Sequence, residues 1–234
     1  MYAKYLKRIL DFVLALMALI VLSPVLLILI ITGTVVLKGN PFFLQPRPGK
    51  KDGSGKETIF YLIKLRTMSN ARGADGELLP DAQRLGKYGA FLRSTSADEL
   101  PSLINILKGE LSLCGPRPQL VRDMTFMTED QRRRHDVRPG LTGLAQINGR
   151  NNITWEQKLA YDLQYIDSGI TFVGDMKILL QTVGKVLKRS DTVREGTVSD
   201  LDFGDWLLLE GKVDQETYDA KQKEARELVR EKHE

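Results

Sequence analysis

The chain has 234 residues, 27% charged and 42% hydrophobic, with a formal net charge of +4. That length suits one or two domains and is ample for a buried core, and a single cysteine excludes any internal disulfide and fits a reducing compartment. The charge is uneven: the first two-thirds is basic and the tail largely acidic, so the basic part could face anionic lipid, nucleotide or nucleic acid. Cys114 has no histidine near it in sequence and reads as a small packed core thiol rather than a nucleophile.

From Phe12 to Leu37 the chain is almost wholly apolar and carries no charge, longer than the ~20 residues a membrane-spanning helix needs. It is too long for the apolar region of a signal peptide, and no A-x-A-like site follows. Lys4, Lys7 and Arg8 precede it, and Lys38, Arg47, Lys50 and Lys51 follow. Positive charge marks the cytoplasmic side, so a single straight span leaves one cluster on the wrong face. A helix broken at Ser23-Pro24 that returns to its own side satisfies both, with Asp11 pairing Arg8 near the interface; a kinked single pass is the alternative.

Gly39-Asn40-Pro41 signals a turn, and Phe42–Gln45 predicts a short strand ending at Pro46-Arg47-Pro48. Lys50–Lys56 reads as a loop or hairpin turn, and Thr58–Met68 as a strand with Lys64 and Arg66 on one face, where they could clamp phosphates or be solvated surface. Asn70–Asp81 reads as a mobile polar loop, and Leu85–Arg93 as a short helix that brings Arg93 close to the stretch that follows.

In Ser94–Pro118 the adjacent carboxylates Asp98 and Glu99 precede Leu100, Leu103, Ile104 and Leu107, the stripe of an amphipathic helix. Ser96-x-x-Glu99 fits a capping box, and Pro101 is tolerated only in a first turn, so the helix must begin close to Asp98. A helix start favours ionised carboxylates and also attracts phosphate. Gly115-Pro116-Arg117-Pro118 then forms a stiff turn presenting one guanidinium.

Beyond it a polar, helical segment carries Arg132, Arg133, Arg134 and His135, either a solvated face or a surface for anionic headgroups. In Arg138–Arg150, glycines beside two arginines would let backbone N–H groups approach a phosphate, although the Walker spacing is absent. Trp155–Tyr165 and Asp175–Leu187 predict two amphipathic helices, core-facing or interfacial. Asp191–Asp205 is polar, and Asp214–Glu234 predicts a highly charged helix.

Five motifs in order resemble the bacterial sugar transferase family, the small monotopic phosphoglycosyl transferases. They are Lys64-Leu65-Arg66-Thr67-Met68, Thr95-Ser96-x-Asp98-Glu99-Leu100-Pro101, Leu107-Lys108-Gly109, Gly115-Pro116-Arg117-Pro118 and Arg138-Pro139-Gly140-x-Thr142-Gly143. Lys7-Arg8-x-x-Asp11 and Ser23-Pro24 match too, so the likeness runs from about Lys4 to about Lys188. The resemblance implies transfer of a sugar 1-phosphate from a UDP-sugar to polyprenyl (undecaprenyl) phosphate, with UMP released, as the first membrane step of glycoconjugate synthesis. It implies that Asp98 attacks the β-phosphorus to form a phosphosugar-aspartyl intermediate, and that Mg²⁺ is required. Asp98 and Glu99 would be catalytic and hold the metal, with Glu99 sharing the ion or managing a proton. Lys64, Arg66, Arg93, Arg117, Arg138 and Arg150 would bind substrate.

The expected fold is α+β: a re-entrant membrane helix over 1–38, and a mostly helical catalytic domain over 39–190 with a small β-hairpin and interfacial amphipathic helices. A charged extension over 191–234 follows. Leu207–Tyr218 is similar to the short helical hairpins called SHOCT, associated with oligomerisation, which would serve a homodimer; a solvated charged tail is the alternative. The expected site is the cytoplasmic face of the bacterial inner membrane, with membrane lipid as a partner. Two rival classes are a membrane-anchored phosphatase with an aspartyl nucleophile and a non-catalytic membrane scaffold. The first lacks a D-x-D-x-T-like stretch. The basic segments also lack interleaved aromatics for base stacking, which argues against nucleic acid.

Overall fold

The computed structural model describes residues 1–149, 153–188 and 201–232. A π-helical turn, Tyr2–Leu6, leads into α1 (Lys7–Val36), and an antiparallel hairpin of β1 (Phe42–Lys51) and β2 (Glu57–Leu65) follows. Helices α2 (Asp81–Arg84) and α3 (Lys87–Thr95), a 3₁₀ helix (Ala97–Ser102) and α4 (Leu103–Lys108) come next. The strands β3 (Ser112–Cys114) and β4 (Gly140–Thr142) pair in parallel, separated by α5 (Val121–Met124), α6 (Glu129–Arg132) and a 3₁₀ turn, Arg133–His135. Then follow α7 (Leu144–Ile147), α8 (Trp155–Asp167), α9 (Phe172–Lys188), α10 (Phe203–Leu209) and α11 (Gln215–Glu231). The architecture is α+β, with small sheets inside a largely helical body.

Helix α1 continues through Pro24 where the sequence predicts a break. Pro24 has no N–H for the Ile20 carbonyl four residues back, and the Ser23 hydroxyl donates to that carbonyl instead, at 2.8 Å. The buried residues of α1 are Asp11, Ala15, Leu29 and Gly33, a helical stripe turned to the body. Near its start, Lys7 pairs with Asp175 at 2.6 Å, and Arg8 donates to the Ile106 and Leu107 carbonyls. Asp11 accepts from the Ser112 hydroxyl and the Leu113 N–H rather than from Arg8. Near its end, Tyr88 donates to the Leu29 carbonyl and Arg66 to the Leu37 carbonyl. Both ends of the apolar helix therefore rest on the same folded body.

Strand β1 also runs further than expected, straight through Pro46 and Pro48. It pairs with β2 alone, and prolines two apart can turn their missing donors to the open edge. The free edge of β2 is closed by side chains. Asn105 accepts from the Ile63 N–H at 3.0 Å and donates to the Tyr61 carbonyl at 2.8 Å, while Ser102 donates to the Ile63 carbonyl at 2.8 Å. Asn105 and Ser102 are fully buried, so these bonds lock the 3₁₀ helix and α4 against the strand that carries Lys64.

Gly140 and Gly143 serve packing. A side chain on Gly140 or Gly143 would meet backbone atoms of Gly115 at 2.1 Å, so these glycines allow the β3 and β4 segments to touch. The C-terminal hairpin is not a solvated tail. Phe203 packs with Met127, Trp155 and Leu159, and Ala225 with Val121 and Met124. Of the predicted stretch Asp191–Asp205, residues 191–200 lie outside the described residues.

Candidate active site

The 3₁₀ helix opens at Ser96, whose φ of +56° is left-handed. A residue in that conformation closes α3, with its N–H on the Arg93 carbonyl, and does not adopt the extended backbone of an N-cap. The expected capping box is therefore absent, and Glu99 is free to turn elsewhere. It accepts from Lys64 Nζ at 2.9 Å on Oε1, and from both terminal nitrogens of Arg117, with Nη1 3.3 Å from Oε2.

The electrostatics of this cluster set its two carboxylates apart. Burial alone would raise the Glu99 carboxyl, but the Arg117 and Lys64 cations outweigh it and hold the group well below the usual carboxylate range. Asp98 shifts the other way: burial, then the neighbouring Glu99 charge, raises its carboxyl, against a smaller pull from Lys64 and Arg117. Glu99 raises the Arg117 guanidinium pKa, whereas burial lowers that of the Lys64 ammonium.

The Pro116-Arg117-Pro118 turn is gripped from behind by two more guanidiniums. Arg134 donates to the Arg117 carbonyl at 2.5 Å and Arg47 to the Pro118 carbonyl at 2.9 Å. Arg134 is 1% exposed and is balanced by the equally buried Asp162, whose Oδ2 lies 3.0 Å from Arg134 Nε. Burial and the nearby Arg117 charge push the Arg47 pKa down to about 10.

Residues 2–189 match the family described as bacterial sugar transferase. The chain is 48% identical over 182 residues to the uncharacterized sugar transferase EpsL of Bacillus subtilis, spanning 78% of this chain and 87% of that protein. The chain belongs to the bacterial sugar transferase family. It is a transferase. It is also similar to the UDP-glucose:undecaprenyl-phosphate glucose-1-phosphate transferase of Caulobacter vibrioides, 35% identical over 193 residues, or 77% of this chain and 69% of that protein. The galactosyl transferase CpsE of Streptococcus agalactiae is 37% identical over 196 residues, which cover 77% of this chain but only 42% of that longer protein.

Of the residues this transferase was expected to use, Lys64, Asp98, Glu99 and Arg117 come together. Arg66 does not share the face of Lys64 in the site, because β2 ends at Leu65 and the Arg66 side chain turns to the end of α1. Arg93 donates to the Thr67 hydroxyl at 3.2 Å, and Arg138 to the Gly109 carbonyl at 2.8 Å. Arg150 lies outside the described residues. Cys114 is buried as expected, and burial pushes its thiol up.

Sequence reasoning missed Arg47 and Arg134. A signal for the first was present, since Pro46-Arg47-Pro48 repeats the Pro-Arg-Pro of the active turn. Arg134 carried none, being one of three consecutive arginines.

Two cavities adjoin the cluster. A cleft of about 300 Å³ is lined by Leu22 of α1, Leu100, Leu103 and the α9 residues Leu179 and Val183, and Glu99 and Arg117 reach it. A polar cavity of about 240 Å³ lies on another side of Arg117, between Arg47, Lys158 and Trp155.

Proposed function

We propose that the protein transfers a sugar 1-phosphate from a UDP-sugar to undecaprenyl phosphate through Asp98. The observation that carries this reading is the cluster itself: a carboxylate of raised pKa beside two cations that its neighbour Glu99 holds in place. An Asp98 carboxylate oxygen attacks the β-phosphorus of the donor, and the bond from that phosphorus to the bridging oxygen breaks. UMP leaves with the oxygen and its electron pair. A phosphate oxygen of the lipid acceptor then attacks the same phosphorus and frees Asp98, forming a diphosphate link. Splitting the displacement spares two anions a direct encounter, and Lys64 and Arg117 answer the charge that develops on the phosphoryl oxygens.

Mg²⁺ fits as a shared ligand. Among the described residues, no three His, Cys, Asp or Glu side chains stand together to hold an ion. Mg²⁺ takes one or two protein carboxylates with substrate phosphates, so Asp98 and Glu99 would hold it with the donor's diphosphate. When bound it would neutralise charge on the leaving phosphate. Glu99, kept ionised by its cations, is better suited to orienting them and to lending a ligand than to carrying a proton.

The seat of this chemistry is a membrane surface, taken here to be the cytoplasmic face of the inner membrane. Val21 is 73% exposed on α1, and Val173 is 75% exposed on α9. Phe172 of α9 meets the Tyr2 ring edge-on at 5.9 Å, joining the two apolar surfaces. Such a surface is unfavourable in water. Because both ends of α1 hold the same body, the helix would enter one leaflet and return only by bending at Pro24, where a backbone bond is missing, rather than cross. The cleft between α1 and α9 would take the apolar tail of the acceptor. UMP release from a panel of UDP-sugars, each with and without undecaprenyl phosphate, tests the reaction. Acceptor-dependent release with at least one sugar is expected, and release of free sugar phosphate to water would indicate a phosphatase instead.

A further inference from the structure

Gln146, on α7, has buried amide atoms, and neither Oε1 nor Nε2 has a hydrogen-bond partner among the described residues. Buried amides are nearly always satisfied, so a stranded one points to a group that arrives later. Gln146 lines both cavities, as does Arg117, so the two residues form the wall between them. A second stranded atom, Arg47 Nε, belongs to a residue that lines the polar cavity.

The chemistry of that cavity narrows what could fill it. Arg117, shared with Glu99, and Lys158, which stands over the Trp155 ring, line it beside Arg47. The buried Arg47 guanidinium donates to the Pro118 carbonyl and the Gln45 amide oxygen and keeps Nε unmet. The cavity's two acids are already answered: Asp123 accepts from the Leu120 and Phe203 N–H groups, and Asp202 pairs with Arg122. The net demand is for an anion. The Gln146 amide asks for a ligand group that both donates and accepts, which ionised diester phosphates do not offer but sugar hydroxyls and a base do. Leu120, Leu201 and Trp155 give apolar wall. A nucleoside diphosphate meets all three demands, with its charged phosphates, hydroxyls and flat base.

We infer that the polar cavity seats the nucleotide half of the donor, and that Gln146 completes its hydrogen bonds on the nucleoside. This rests on the function proposed above, and places nucleotide and lipid on opposite sides of one wall formed by Arg117 and Gln146. The donor's leaving half would then be held apart from the incoming acceptor.

The test is calorimetric binding of UDP, and separately of inorganic pyrophosphate, to the detergent-solubilised full chain. Gln146→Leu is expected to weaken UDP at least tenfold, leave pyrophosphate unchanged, and not lower the melting temperature of the unliganded protein. Gln146→Glu keeps the size but loses the amide donor and adds a negative charge, and is expected to weaken UDP as well. In turnover the donor KM should rise while the KM for undecaprenyl phosphate stays constant. UDP affinity within twofold of the native chain in both variants, or an equal loss of UDP and pyrophosphate in Gln146→Leu, would overturn the inference. A native chain that binds UDP through Gln146 yet releases no UMP from any UDP-sugar would instead refute the proposed reaction.

Discussion

Two basic regions of the molecule differ in charge density and in what they do. The turn Gly115–Pro118 has one arginine and the run Arg132–Arg134 has three. Arg117 meets the Glu99 carboxylate in the site, and prolines on both sides limit its backbone. In the run, Arg132 makes a two-pronged contact with Glu57 at 2.8 and 2.6 Å, while Arg133 sits at the surface between Asp130 and Asp167. Arg134 turns inward to Asp162 and reaches the active turn through its backbone. Charge density is thus a poor guide to role. Burial and fixed partners separate the cation beside Glu99 from a brace, and a brace from a surface charge.

The largest effect is expected where the brace is removed. Arg134→Ala leaves Asp162 buried without its partner, a change that costs about 3–5 kcal/mol. Denaturant unfolding should show that loss, and a cost under about 1 kcal/mol would mean the pair is idle. Arg134→Lys keeps the charge but not the fork, so it should recover part of the stability while transfer stays impaired through a loosened Arg117 turn.

Arg117→Ala should leave folding nearly intact and reduce kcat/KM for the donor at least tenfold, since a hydrogen bond to a charged group contributes about 1.5–3 kcal/mol. Arg133→Ala is the matched control, expected to change stability by less than about 0.5 kcal/mol and the rate hardly at all. Equal losses from the two substitutions would erase the distinction between these regions.

What the sequence shows of this arrangement is its local part. Asp98, Glu99 and Pro101 mark a helix start whatever surrounds them, and the apolar length of α1 needs no partner to be read. The choice of partner is another matter. Ser96-x-x-Glu99 suits a capping box, but Ser96 closes the preceding helix and Glu99 pairs with cations from β2 and from the turn after β3. Asn105 reads as one polar residue in an apolar stripe, although it closes the edge of β2. Gly140 and Gly143 suit a phosphate loop and a strand contact equally well until Gly115 is placed beside them. Each of these depends on chain that is distant in sequence.

The pH dependence sharpens the contrast between the paired carboxylates. The proposed attack requires ionised Asp98, whose pKa burial and Glu99 raise above the ordinary aspartate value of about 3.9. Activity should therefore fall, as pH is lowered, at a higher pH than an unperturbed aspartate would give. Removing a cation by Lys64→Ala or Arg117→Ala should move that acid limb further up, because both cations lower the Asp98 pKa. A limb that stays fixed in both variants would mean that another group controls it.

The most direct measurement is intact-protein and peptide mass spectrometry after the chain is mixed with donor UDP-sugar alone. A mass increase of one phosphosugar, mapping to Asp98 and discharged on adding undecaprenyl phosphate, is the expected result. The adduct should be absent in Asp98→Asn, with the fold retained. An adduct on another residue, or full turnover in Asp98→Asn, would contradict the assignment.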